Sequence, residues 1–262
     1  MPIPQPTISD GGLKGRYLIV GRPATGKSFA ANTFPNPVFL DFDHKAPAGA
    51  KTFDFWNPIF CDSIVRRVNP NHLPNRRDAL LKFFKDHVVT PTESNRLPLD
   101  TTLILDSVTA FDESLHQQIR QEGIPVGKSG QPDAFYVWRK KIEFLDDLFT
   151  VISAWPGDFI CIMHEMPEYD DAGSQTGRVK PLIAGQYADK IASKFNCVFR
   201  SRIELDPSTK KPIYVWDVQP TRAFESTNRL GITQVTIKAT YQSLMEAAKI
   251  TKTQNQTTQT TL

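Results

Sequence analysis

Two hydrophobic rhythms run through this chain. Short strand signals built on apolar runs occur at Arg16-Tyr17-Leu18-Ile19-Val20, Val38-Phe39-Leu40, Thr101–Leu105 and Asp158–Met163, closed by Gly21, Asp41, Asp106 and His164. Runs of this length bounded by turn or polar residues predict strands buried on both faces. Between them lie stretches with helical spacing. Leu80, Phe84 and Val88 share one face of a helix over 76–88, and further helices are expected at about 107–122, 134–153, 185–194 and 240–249. A short helix start follows at Ser28-Phe29-Ala30-Ala31. Residues 44–75 are rich in Pro and Asn and read as irregular, apart from the aromatic cluster Phe53-Asp54-Phe55-Trp56. Residues 165–181 read as a polar loop. The last third, 196–238, turns strand-rich around Cys197-Val198-Phe199, Tyr214-Val215-Trp216 and Val235-Thr236-Ile237.

Apolar strands alternating with helices predict an α/β fold, a mostly parallel sheet with helices on both faces. The strand-rich end predicts antiparallel strands added toward the C-terminus. The expected organisation is an arm over 1–12 with three prolines and two glycines, one domain over 13–250, and a disordered Thr/Gln/Asn tail over 251–262.

Composition narrows the classes. The 262 residues carry 31 basic and 28 acidic side chains, a net charge of +3, which excludes a polybasic protein that grips nucleic acid by bulk charge. Cys61, Cys161 and Cys197 lie far apart, against both a disulfide framework and a zinc site. The N-terminus lacks the charged and apolar regions of a leader, and no apolar run approaches the length of a membrane span. The expectation is a cytoplasmic protein without a membrane partner.

The strongest chemical signal is Gly21-Arg22-Pro23-Ala24-Thr25-Gly26-Lys27-Ser28, which matches GxxxxGK[ST] between a strand and a helix start. Its glycines let backbone N–H groups wrap an anion. Lys27 is expected on the β- and γ-phosphates of ATP and the Ser28 hydroxyl on Mg²⁺; Phe29, next in the chain, is counted with the nucleotide-binding run. Such a site needs an acidic residue at a neighbouring strand end to hold the metal through water, and Leu103-Ile104-Leu105-Asp106 supplies it. Ser107 follows where many ring ATPases carry Glu. The base is therefore sought at the other acidic strand end, Asp41-Phe42-Asp43.

These segments resemble the RecA-like P-loop ATPases. Val38-Phe39-Leu40-Asp41-Phe42-Asp43-His44 is similar to the RecA segment that carries the catalytic Glu, and Leu103 to Phe111 to its acidic-strand segment. Cys161-Ile162-Met163-His164 resembles the strand that ends in a polar sensor. The order of segments, with His164-Glu165 and Pro181-Leu182-Ile183-Ala184-Gly185, is closer to small phage ATPases linked to single-strand annealing and recombination. The resemblance covers about 14–230. It implies a RecA-like core, Asp43 as the base (one methylene shorter than Glu) and His164 as a sensor of the γ-phosphate. It implies single-stranded DNA held by loops near 121–133 and 165–181, with Lys128, Arg178 and Lys180 as the contacts. It also implies assembly into a homo-oligomeric ring or filament with ATP at the interface, where Arg222 or Arg229 reaches the neighbour's site, and work beside a single-strand-binding protein.

Three features cut against easy extensions. The second loop holds four acids, Glu165, Glu168, Asp170 and Asp171, against Arg178 and Lys180, and would repel phosphates. The basic stripe Arg66, Arg67, Arg76, Arg77, Lys82, Lys85 and Arg96 reads more simply as a solvated helix face. His164-Glu165 is not a zinc motif, because the second His of HExxH would fall on Glu168. The competing classes are a small-molecule kinase, a motor ATPase and a nucleotide-gated scaffold without direct DNA binding.

Overall fold

A computed structural model describes residues 15–65, 75–127, 130–183 and 187–248. Its frame is one sheet of ten strands. In chain order they are β1 (Arg16–Gly21), β2 (Pro37–Asp41), β3 (Lys51–Asp54), β4 (Thr102–Asp106), β5 (Phe159–Tyr169), β6 (Gln175–Pro181), β7 (Cys197–Leu205), β8 (Pro212–Asp217), β9 (Thr227–Asn228) and β10 (Thr236–Lys238). The spatial order is β3-β2-β4-β5-β1-β7-β8-β10. Pairings from β3 through β7 are parallel; β8 on β7, β10 on β8, β9 on β7 and β6 on β5 are antiparallel.

The helices are α1 (Lys27–Ala31), α2 (Pro58–Val65), α3 (Arg76–Phe84), α4 (Val108–Glu122), α5 (Tyr136–Ser153), α6 (Tyr187–Lys190) and α7 (241–248). A wider π turn, Lys85–Val89, continues α3, and a 3₁₀ turn, Ile191–Lys194, continues α6. Side chains of a strand alternate between faces. Leu18 and Val20, Leu103 and Leu105, and Phe159, Cys161 and Met163 therefore share one core with α2 to α6. Tyr17, Ile19, Ile104, Ile160 and Ile162 form a second core with α1, α7, Phe199 and Trp216. Strands buried on both faces have no room for polar side chains, which is why they read as solid apolar runs.

Two expectations need correction. Residues 44–75 are not irregular throughout: β3 adds an edge strand to β2, and α2 follows. The short, half-exposed β3 shows no two-residue alternation, and its aromatic cluster is core, with Phe53 against Phe83 and Phe42 stacked on Phe55. Residues 165–181 are not an open loop. β5 runs on past the sheet to Tyr169 and turns into β6 as a hairpin. Beyond Glu165 its polar residues hide the strand, because the outer part of that hairpin has no buried face.

All three cysteines are free and buried. Among the described residues no helix is long and apolar enough to cross a membrane. The arm 1–12, the tail 251–262, Lys128, Arg66 and Arg67 lie outside the described residues.

Candidate functional site

The parallel strands β1, β2, β4 and β5 all end at one edge, where ligands of open α/β sheets bind. A cavity of about 340 Å³ opens there. Pro23, Ala24, Thr25, Gly26, Lys27, Ser28 and Phe29 line it from the turn after β1 and the start of α1. Asp43 and Lys45 come from the turn after β2, Asp106 from β4, Ile162 and His164 from β5, and Tyr214 from β8.

The turn after β1 is held by specific contacts. Gly26 has φ +77°, a conformation that costs L-residues about 1–2 kcal/mol. A Cβ there would also meet the Tyr214 ring at 2.5 Å. The Thr25 hydroxyl donates to the Arg22 carbonyl at 2.8 Å, and the Ser201 hydroxyl donates to the Thr25 carbonyl at 2.8 Å. Lys27 Nζ donates to the carbonyls of Gly21 at 2.9 Å and Arg22 at 2.7 Å. The amine is therefore already placed over the loop, on partners that an anion can replace. α1 spans only five residues, so its dipole adds little and the anion cradle rests on the loop itself.

The two acids at the end of β2 and in the turn after it have different jobs. Asp41 is buried, and its carboxylate accepts the backbone N–H of Asp43 at 3.2 Å, Lys45 at 3.3 Å and Ala46 at 3.2 Å. It organises the turn. Asp43 instead faces the cavity, and its Oδ1 is buried with no hydrogen-bond partner among the described residues. Its Oδ2 pairs with Lys45 Nζ at 3.2 Å. The turn is pinned to β4 by the Phe42 N–H, which donates to the Asp106 carbonyl at 2.7 Å.

Burial shifts the ionisable groups. Desolvation pulls the Lys27 amine down to about 8, against Asp106, Glu165 and Asp43, which favour its charge. Desolvation pushes the Asp106 carboxyl up to about 7; a hydrogen bond from Ser28 opposes this, while Asp43 and Asp41 add to it. His164 is held below the usual histidine range by burial and by the charges of Lys27 and Lys45. Asp106 Oδ2 and His164 Nδ1 are both buried with no hydrogen-bond partner among the described residues. A hydroxyl and a carboxylate side by side, with one carboxylate oxygen unused, form a hard oxygen donor set that fits Mg²⁺. Ser107 serves the fold: its hydroxyl accepts the Ala110 N–H at 3.2 Å and caps α4.

Lys27, Ser28, Phe29, Asp43, Asp106 and His164 thus meet at one cavity. Arg22 does not turn into it. Its Nε donates to Glu165 at 3.2 Å, and the same buried carboxylate takes two bonds from Arg200, at 2.9 and 3.1 Å. Arg178 pairs with Glu225 at 2.5 Å and Glu168 at 3.3 Å, and Lys180 lies 3.9 Å from Asp189. Arg222 and Arg229 are exposed, away from the cavity of their own chain. Three of the described residues of the basic stripe are engaged in structural contacts. Arg76 donates to the Phe55 and Trp56 carbonyls, Arg77 pairs with Asp78 and Glu122, and Lys82 with Asp86.

Three site residues escaped the sequence reading. Lys45 lies two positions past Asp43 and was open to notice. Tyr214 and Ser201 reach the loop across the sheet, with no local signal.

The model of one protein family, described as an AAA domain, matches residues 13–230. No curated protein matches the chain. Solved structures similar to it include a prototypical ATPase from the type III secretion system of pathogenic bacteria, 14% identical over 90% of this chain, with a TM-score of 0.43. The chain spans 63% of the length of that ATPase. The flagellar accessory protein FlaH from Methanocaldococcus jannaschii is 11% identical over 87% of this chain and 86% of its own, with a TM-score of 0.35. The KaiC-like protein PH0186 from Pyrococcus horikoshii OT3 is 12% identical over 86% of this chain and 84% of its own, with a TM-score of 0.38.

Proposed function

The chain belongs to the AAA domain family, and from that premise we propose that it binds and hydrolyses ATP at the β1–β5 edge and acts on single-stranded DNA in recombination or annealing, in the cytoplasm. The observation that carries the ATPase reading is the meeting of Lys27, Ser28, Asp106 and Asp43 at one cavity. Lys27 leaves the Gly21 and Arg22 carbonyls for the β- and γ-phosphate oxygens. Ser28 and Asp106 would hold Mg²⁺, which neutralises phosphate charge when bound. Asp43 Oδ1 orients a water and takes its proton. The water oxygen bonds to the γ-phosphorus as the bond to the bridging oxygen breaks, giving ADP and phosphate. His164, neutral because its site disfavours the imidazolium, reads the γ-phosphate and passes its state along β5 to the hairpin.

Asp43→Asn tests the base: hydrolysis is expected to fall at least about 100-fold, with ATP affinity within a few-fold. An unchanged rate removes Asp43 from the chemistry. DNA action is tested by adding oligonucleotide to the ATPase assay. Stimulation, or ATP-dependent binding, supports it; the absence of both refutes it. Homo-oligomeric assembly, with Arg222 or Arg229 crossing to the neighbour's ATP, belongs to the same proposal. Mixing Arg222→Ala or Arg229→Ala subunits with Lys27→Ala subunits should restore hydrolysis, because each mixed pair forms one intact site.

A second reading, a nucleotide-gated scaffold without direct DNA contact, is favoured by one observation. Arg178 and Lys180 both lie beside carboxylates, which lowers their availability for phosphates.

A further inference from the structure

We infer that Lys45 is a catalytic cation supplied by the chain's own subunit, one that contacts the γ-phosphate and trades its partner Asp43 for it. The inference rests on the ATP-site reading above.

Lys45 lines the phosphate cavity beside Asp43, 3.2 Å from the Asp43 Oδ2. Its side chain is 62% exposed, so the ammonium can move across the mouth of the site. Its backbone is fixed. The buried Asp41 carboxylate accepts the Lys45 and Ala46 N–H groups, and His44 takes the left-handed conformation, φ +59°, that turns the chain. A long flexible cation on a rigid mount suits a group that must follow a phosphate from ground state to transition state.

Its charge already reaches the site, because Lys45 lines the same cavity as Lys27 and His164. When the γ-phosphate arrives, it offers Lys45 a partner of higher negative charge than the single Asp43 carboxylate. The exchange frees the Asp43 Oδ2 and occurs only when the site holds a triphosphate.

The contact exists for the γ-phosphate and not for ADP, and this separates it from a structural role. The test compares binding of a non-hydrolysable ATP analogue and of ADP to wild type, Lys45→Ala and Lys45→Arg, with melting temperature as a control on folding. In Lys45→Ala, analogue affinity is expected to fall about tenfold, with ADP affinity within twofold of wild type. Turnover is expected to fall about 100-fold, the scale of one lost transition-state contact. Lys45→Arg should recover most of the analogue affinity. Equal weakening of both ligands, or no weakening of the analogue, overturns the inference. A wild-type protein that binds neither ligand overturns the ATP-site reading itself.

Discussion

The Glu165 carboxylate joins the phosphate loop to β7, and its two arms should differ sharply in strength. The Glu165 side chain is 3% exposed and the Arg200 side chain 17%, while Arg22 is 77% exposed. Removing one partner of a buried pair strands a charge and costs about 3–5 kcal/mol. Arg200 keeps some solvent, so the lower end applies, about 3 kcal/mol for either Glu165→Ala or Arg200→Ala. The Arg22 arm is an exposed ion pair, worth less than about 1 kcal/mol. Glu165→Gln keeps the shape and loses the charge, so about 1–2 kcal/mol is expected. Urea unfolding followed by tryptophan fluorescence, with Trp216 fully buried as a reporter, measures each variant. Double-mutant cycles should give a coupling of about 2–3 kcal/mol for Glu165 with Arg200 and under about 0.5 kcal/mol for Glu165 with Arg22. If Arg22→Ala destabilises the protein as much as Arg200→Ala, the reasoning from exposure fails.

Lys27→Ala should leave the melting temperature near wild type and reduce turnover at least about 100-fold, checked by phosphate release. Asp106→Asn removes a carboxylate whose folded-state pKa stands above its unfolded value. Ionising that group works against the fold, so wild-type stability is lost as pH rises from about 4 to about 7 and then levels off. The Asn variant should therefore melt higher than wild type at pH 8 and close to it near pH 4, read by differential scanning fluorimetry of nucleotide-free protein. Gly26→Ala should cost about 1–2 kcal/mol from backbone strain and also abolish nucleotide binding, because the new methyl strikes the Tyr214 ring. Tyr214→Ala should relieve the clash and not the strain, so the double variant should recover only part of the lost stability.

Legibility followed burial and distance along the chain. β1, β2, β4 and the first half of β5 were readable because strands covered on both faces leave solid apolar runs. The phosphate loop and Asp106 were readable because each sits at a fixed offset from such a run. The hairpin after His164 was not, because its polar exposed residues give no two-residue alternation. The division of labour between Asp41 and Asp43 was hidden as well. Both are acids at one strand end, and only the backbone N–H groups folding back onto Asp41 tell them apart. Glu165 and Arg200 meet across 35 positions, and Tyr214 reaches Gly26 from the far side of β7; no local pattern announces either contact.

The hairpin also has mechanical properties. β5 pairs with β1 up to His164 and beyond that point only with β6. The five residues from Glu165 to Tyr169 extend about 17 Å at the rise of a strand. Near its root, the Val179 N–H donates to the Ala223 carbonyl at 2.9 Å, and Arg178 grips Glu225. That bond makes a fulcrum. A tilt of about 5° driven from His164 would swing the free tip by about 1.5 Å over that strand length. It would also pull on the turn that carries Arg222, the exposed neighbour of Ala223.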